Sequence, residues 1–256
     1  MPERPANDGK PWTRDELVIA FELYCRTPFQ KTKANNPDVR RTALLLKRTA
    51  ASVARKLGNF GAFDPQLRER GISGLVHASR LDREIWEEFH EDWNSLVESA
   101  HRLRQSLSEL KPEAETFTPR TGPSERLRLT RERLHQSFFR DAVLSSYDCR
   151  CCITGINVQE CLIASHIVPW ACNERYRSDP TNGLCLSATF DRLFDSGLIT
   201  IDTTLKVEVS PRLLEVADRA SRTLIACYHG KPIMPPMRFL PSRNHLEWHR
   251  ANVFRS

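Results

Sequence analysis

One stretch constrains the chain more than any other. It runs from Cys149 to Asp202 and reads CRCCITGINVQECLIASHIVPWACNERYRSDPTNGLCLSATFDRLFDSGLITID. Cys161 to Ser165 is strand-like, His166 closes it, and Ile-Val-Pro-Trp turns the chain into a loop. Asn182 lies 16 residues after His166, directly behind the Asp179-Pro180-Thr181 turn. Asp191 lies nine residues further on, and Asp195 four beyond that. A helix over Ala188 to Gly197 puts both aspartates on one face. Leu198 to Asp202 and Val207 to Ser210 then read as a hairpin.

Each of these residues has an ordinary use when taken alone. A strand-end histidine satisfies its own hydrogen bonds, an asparagine caps a turn, and two aspartates make a solvated helix face. Together they resemble the site of the HNH nuclease family, and the resemblance implies phosphodiester hydrolysis, whose demands these residue types fit. A water must be deprotonated near neutral pH, which suits an imidazole of ordinary pKa near ~6.5. A cation must neutralise charge growing on the phosphate and on the departing 3′ oxygen. Carboxylates are hard oxygen donors that suit Mg²⁺ or Mn²⁺.

The joint pattern resembles the HNH nuclease family, the ββα-metal fold. Ser-His-Ile-Val-Pro-Trp, Asn-Gly-Leu-Cys-Leu and Phe-Asp-Arg-Leu-Phe-Asp-Ser-Gly-Leu-Ile-Thr-Ile carry the likeness. In that family two strands and a helix grip one divalent cation. The resemblance implies that His166 activates water, that Asn182 holds the loop behind it, and that Asp191 and Asp195 bind the metal. Two positions depart from the family pattern. Asp191 stands where the third motif letter is a histidine, which shifts the expected metal toward Mg²⁺ or Mn²⁺. Ser165 stands where a carboxylate or histidine often adds a ligand, which weakens the cage.

Cys149 and Cys152 form a Cys-x-x-Cys pair, the kind that family members use in twos to hold a structural zinc. No second such pair exists in the chain, so Cys152 reads instead as a small buried apolar residue before the Thr154-Gly155 turn. Arg140, Arg175, Arg177 and Arg192 lie near the motif. Arg192, directly after Asp191, is best placed to grip a phosphate with its planar fork. His245 and His249, in the tail beside Trp248 and Arg250, are able to pack back on this module, and the sequence leaves that open.

The preceding part of the chain reads as helical. Thr13 and Glu16 form a capping box for a helix through Cys25, which Pro28 ends. Asn36 or Asp38 caps a second helix over Val39 to Leu46, and Thr49 a third. Arg26 to Phe60 holds nine Lys/Arg against Asp38 as its one acid. This short basic helix after a tight turn resembles the recognition helix of a helix-turn-helix, with Arg48, Arg55 and Lys56 as phosphate contacts. The other reading is an amphipathic helix with solvated charges. From Arg80 to Ala100 the sign reverses, with seven acids against two arginines. Ile85, Phe89, Trp93, Leu96, Ala100, Leu103, Leu107 and Leu110 predict one long helix from Leu81 to Leu110, its stripe facing a core or a dimer seam. Proline-rich residues 112–123 read as a linker. An Arg-rich helix follows over Ser124 to Ser146. The stretch before residue 112 is similar to the segment that precedes this nuclease module in many bacterial proteins of similar length. Asn-Pro-Asp, Arg-Thr-Ala-Ala-Ser-Val-Ala-Arg-Lys-Leu, Phe-Asp-Pro and Trp-Glu-Glu-Phe carry that likeness.

The chain has 256 residues and a net charge of +6, which favours a polyanionic partner without requiring one. No run of about 20 apolar residues argues for a membrane span, and the polar first residues lack a signal-peptide core. Its eight cysteines are then expected as reduced thiols in a cytoplasm. The expectation is an α+β protein with a helical, helix-turn-helix-like DNA-binding domain over 1–111, a linker over 112–123, and a ββα-metal nuclease domain with flanking helices over 124–256. It cleaves double-stranded DNA with a divalent metal, in a bacterial restriction or defence setting implied by the resemblance, as a monomer or a homodimer. A non-catalytic DNA-binding regulator with a degenerate nuclease fold, and a nuclease toxin, are the alternatives.

Overall fold

The structure is a computed structural model, and it describes residues 4–72, 78–108, 123–216 and 218–256. The fold is α+β, and the chain divides into two units, Met1–Asp141 and Ala142–Ser256.

The first unit is helical. Its elements are α1 (Arg14–Arg26), α2 (Pro37–Leu45), α3 (Ala50–Gly61), α4 (Pro65–Glu69), α5 (Arg80–His90), α6 (Trp93–Leu107) and the first part of α7 (Pro123–Ser146). Local chemistry sets the helix starts. Thr13 and Glu16 make the expected capping box, the Asn36 side chain accepts from the amides of Asp38 and Val39, and Thr49 accepts from Ser52. Helix α1 is the centre of this unit. Leu17, Ile19, Ala20 and Phe21 are fully buried, and the Phe21 ring meets Phe60, Trp86 and Trp93 at 5.0, 5.4 and 6.2 Å.

The long helix expected over Leu81 to Leu110 is two helices. Asp92 breaks it, because its carboxylate accepts from the Ser95 amide and caps a new start. The apolar stripe survives the break, with Ile85, Phe89, Trp93, Leu96 and Ala100 all buried in the core. Leu107 is 44% exposed, and Leu110 lies outside the described residues. The stretch expected as linker, apart from Pro123, also lies outside them. The division between units falls inside α7, after Asp141 rather than before the helix. Phe138 packs on Trp93, Arg131 bonds Glu98, and Arg26 bonds Asp141 at 2.6 Å, so this part of α7 belongs with the first unit.

Two of the expected phosphate contacts take a different role. Arg48 is buried, paired with Glu16 at 2.8 Å, donates to the carbonyls of Lys10 and Pro11, and lies over the Trp12 ring at 4.3 Å. Lys56 is buried and paired with Asp82 at 2.9 Å. Both cations are consumed in the architecture, where buried charges persist only with partners. Arg55 is exposed, as are Lys31, Lys33, Arg40, Arg41 and Lys47.

The second unit opens with the end of α7. The backbone then turns through Asp148 and Cys149, both at positive φ. Strand β1 (Leu162–His166) pairs antiparallel with β2 (Gly183–Ser187), with Leu162 opposite Ser187 and His166 opposite Gly183. Helix α8 (Ala188–Asp195) follows β2 without a loop and packs on both strands. A hairpin of β3 (Ile199–Ile201) and β4 (Val207–Val209), short helices α9 (Pro211–Val216) and α10 (Arg219–Leu224), and a final helix α11 (Arg243–Asn252) complete it. Among the described residues no helix is long and apolar enough to cross a membrane.

Candidate active site

The candidate residues lie at the end of β1, in the loop that follows it, and on α8. Residue β1–β2 pairing fixes His166 against Gly183 at one end of the ribbon. Its Nε2 lies 3.1 Å from the carbonyl oxygen of Arg177. A carbonyl only accepts, so Nε2 carries the proton and Nδ1 is the basic nitrogen. Burial pushes the imidazole down to about 4, against a small upward pull from that carbonyl, so the ring is neutral at pH 7. Trp170 meets the His166 ring edge-on at 5.6 Å.

Asn182 is fully buried and knots the loop that follows His166. Its Oδ1 accepts from the Val168 amide at 2.8 Å, and its Nδ2 donates to the carbonyls of Val168 at 3.0 Å and Tyr176 at 3.3 Å. Its own carbonyl accepts from the Ile167 amide at 2.8 Å. One side chain thus fastens the beginning and the middle of the loop to the residue before β2. Arg177 closes the same loop, donating to the Trp170 carbonyl and lying over the Trp170 ring at 4.9 Å.

Asp191 and Asp195 lie one turn apart on α8. Burial is the chief reason that both hold protons more tightly than usual, and the Asp191 charge adds to the effect at Asp195. Arg192, exposed between them, works in the opposite direction on both. Ser165 is buried and points its Oγ close enough to Asp191 to lower that carboxyl's proton affinity, yet the hydroxyl makes no hydrogen bond of ordinary geometry. Two repelling carboxylates and an unsatisfied hydroxyl form an oxygen-only donor set that fits a hard dication. Among the described residues, no three His, Cys, Asp or Glu side chains gather as a cage.

The cysteine pair reads differently from a metal clamp. Cys152 is buried, its amide bonds the Cys185 carbonyl, and burial drives its thiol well above the ordinary value, with Cys151 and Cys185 adding to the shift. Among the described residues no third His, Cys, Asp or Glu joins Cys149 and Cys152, the pair the sequence offers for a structural zinc, as a metal-holding group. Arg140 and Arg175 are exposed.

The tail packs back on the module. His245 and His249 are buried on one face of α11. The sequence named both as tail residues able to pack back, and left that open. Nothing in the sequence pointed to Trp170 as the neighbour of His166.

Residues 151–202 match the family model described as HNH endonuclease. That segment spans β1, β2, α8 and β3 and contains His166, Asn182, Asp191 and Asp195. The chain therefore carries an HNH endonuclease domain, and nuclease-type chemistry is the function this domain defines. Members of this family generally use divalent metal ions on a DNA substrate. A search of curated proteins found no match.

Proposed function

We propose that the chain is a metal-dependent endonuclease that hydrolyses phosphodiester bonds in double-stranded DNA, in a bacterial restriction or defence setting. One observation carries the chemistry. A neutral imidazole, its proton fixed on Nε2 by the Arg177 carbonyl, stands at the ribbon end beside the helix that bears two carboxylates.

Asp191 and Asp195 would hold the divalent ion, Mg²⁺ or Mn²⁺ by the hardness of their oxygens. When bound, the ion supplies positive charge that stabilises the phosphorane-like transition state and the departing 3′ oxygen. His166 Nδ1 takes a proton from water as the water oxygen forms its bond to phosphorus. The bond from phosphorus to the 3′ oxygen breaks, and that oxygen leaves with the bonding electrons and takes up a proton from solvent. The products are a 5′-phosphate and a 3′-hydroxyl. Asn182 keeps the His166 loop in one conformation during the reaction. Arg192, exposed beside Asp191, would hold a non-bridging phosphate oxygen. In the first unit Arg55, with Arg40, Arg41 and Lys47, offers exposed charge to the DNA backbone.

The test is incubation of supercoiled plasmid with the purified chain in Mg²⁺, in Mn²⁺ and in EDTA. Nicked or linear product in either metal and none in EDTA is expected. Plasmid that is bound but stays intact in both metals supports the regulator reading instead.

A further inference from the structure

We propose that α11, which lies outside the matched nuclease segment, is a clamp that sets the geometry of the active site through His245 and His249. This rests on the nuclease reading above. It assigns both histidines as positioning residues, neither of which touches substrate.

His249 reaches the metal-binding side. Its Nε2 donates to the Phe194 carbonyl at 3.2 Å, and its Nδ1 accepts from the Thr200 hydroxyl at 2.9 Å. The ring stacks on Phe194 with centroids 3.7 Å apart and planes 9° apart. Phe194 sits between Asp191 and Asp195, and its carbonyl, in the last turn of α8, also accepts from the Gly197 amide at 2.9 Å, so the His249 bond adds a tie from α11 to an end the backbone already closes. Thr200 lies in β3. One ring therefore ties the end of α8 to the following strand.

His245 reaches the other side. Its Nδ1 lies 3.4 Å from the Thr181 carbonyl, and its ring lies 4.5 Å from that of Tyr176. Thr181 precedes Asn182, and the Tyr176 carbonyl is one that Asn182 holds. The Ser242 amide, at the start of α11, donates to the same Thr181 carbonyl at 3.0 Å. Beyond α11 the Arg255 amide donates to the Gly197 carbonyl at 2.9 Å. Gly197 has φ +70°, and a Cβ there would come within 2.0 Å of the Val253 carbonyl oxygen. The tail thus closes on both elements whose separation defines the site.

Leucines at 245 and 249 would fill the same volume. The histidines add directed bonds to the backbone of the two elements that carry the chemistry. A shift of one element against the other by a fraction of an ångström is what these bonds resist.

The experiment uses the full chain with H249A, H249F, H249Q and H245A. H249F keeps the stacking and loses both hydrogen bonds, so it separates positioning from filling. Cleavage of a duplex gives kcat and KM, and calorimetric titration of the DNA-free protein with Mn²⁺ gives metal affinity. H249A and H249F are expected to lower kcat and Mn²⁺ affinity by roughly 10- to 100-fold, the range for residues that orient metal ligands, with KM within about twofold. H249Q, whose amide reaches the Phe194 carbonyl, recovers most of both. H245A lowers kcat and leaves Mn²⁺ affinity in place. Folded H249F with the native kcat and Mn²⁺ affinity overturns the clamp. A native chain that binds Mn²⁺ yet cleaves nothing overturns the nuclease reading, and the Mn²⁺ titrations of the variants still decide the clamp. A native chain that neither cleaves nor binds Mn²⁺ overturns both.

Discussion

His166 Nε2 and the Arg177 carbonyl oxygen lie 3.1 Å apart, across 11 residues of chain. This contact selects the tautomer. It leaves Nδ1 as the proton acceptor and makes the loop around Asn182 the device that aims it.

The first consequence concerns catalysis and pH. His166→Ala is expected to lower kcat by roughly 10²- to 10⁴-fold, the usual share of a general base, while DNA affinity stays put. A base acts in its unprotonated form, and burial puts His166 at about 4. The profile of kcat/KM, which reports the ligand-free enzyme, should therefore lose activity only as pH falls toward 4. An acid limb centred near 6.5 would contradict the burial of the ring.

Stability should follow the same groups. His166 and His249 both titrate at about 4 when folded, in each case because burial disfavours the charged ring. Unfolded histidines titrate near ~6.5. The unfolded chain thus binds more protons between these values. The contribution of both groups is fully present above about 6.5 and is lost as pH falls toward 4. Thermal melts should show a lower Tm at pH 5 than at pH 7, and His249→Gln should flatten that slope.

The carboxylates predict a metal-linked stability. Asp191 and Asp195 repel one another across one helical turn. Mg²⁺ at about 100 times its Kd should raise stability by about 2.7 kcal/mol through mass action. Asp195→Asn should remove that increment while leaving the metal-free Tm equal or higher. Equal Mg²⁺ stabilisation of both proteins would remove Asp195 from the ligand set.

The residues of the candidate site stand in the sequence, and their roles are what the family resemblance implies. Local pattern carried the strand before His166, the turn before Asn182 and the helix with the two aspartates, whereas the second strand, β2, entered only with the family resemblance, because its pairing with β1 is not a local signal. Asn182 was assigned to hold a loop, and its three side-chain hydrogen bonds to that loop have this form. Arg48 and Lys56 were misread for a physical reason. Their partners, Glu16 and Asp82, lie 32 and 26 residues away, and no local pattern announces an ion pair at that range. The break at Asp92 was hidden because the apolar stripe keeps its period across it. His249 was visible as a residue but not as a contact of Phe194, 55 positions distant.

The buried pairs and the exposed arginine should separate in mutagenesis. Arg48→Ala and Lys56→Ala each strand a buried carboxylate, and a loss of about 3–5 kcal/mol is expected in denaturant unfolding. Arg55→Ala should leave stability within about 0.5 kcal/mol. In the His166→Ala background it should reduce the slope of log binding constant against log salt by about 1, the signature of one lost phosphate contact. An unchanged slope would take the exposed α3 arginine away from DNA.

The most direct measurement is a crystal structure of the His166→Asn chain bound to a DNA duplex with Mn²⁺, read by anomalous scattering. One manganese peak is expected at oxygen-ligand distance from Asp191 or Asp195 and from a scissile phosphate, with the residue 166 side chain on the opposite side of that phosphorus. A manganese bound elsewhere, or a phosphate out of reach of residue 166 by more than one water, would contradict it.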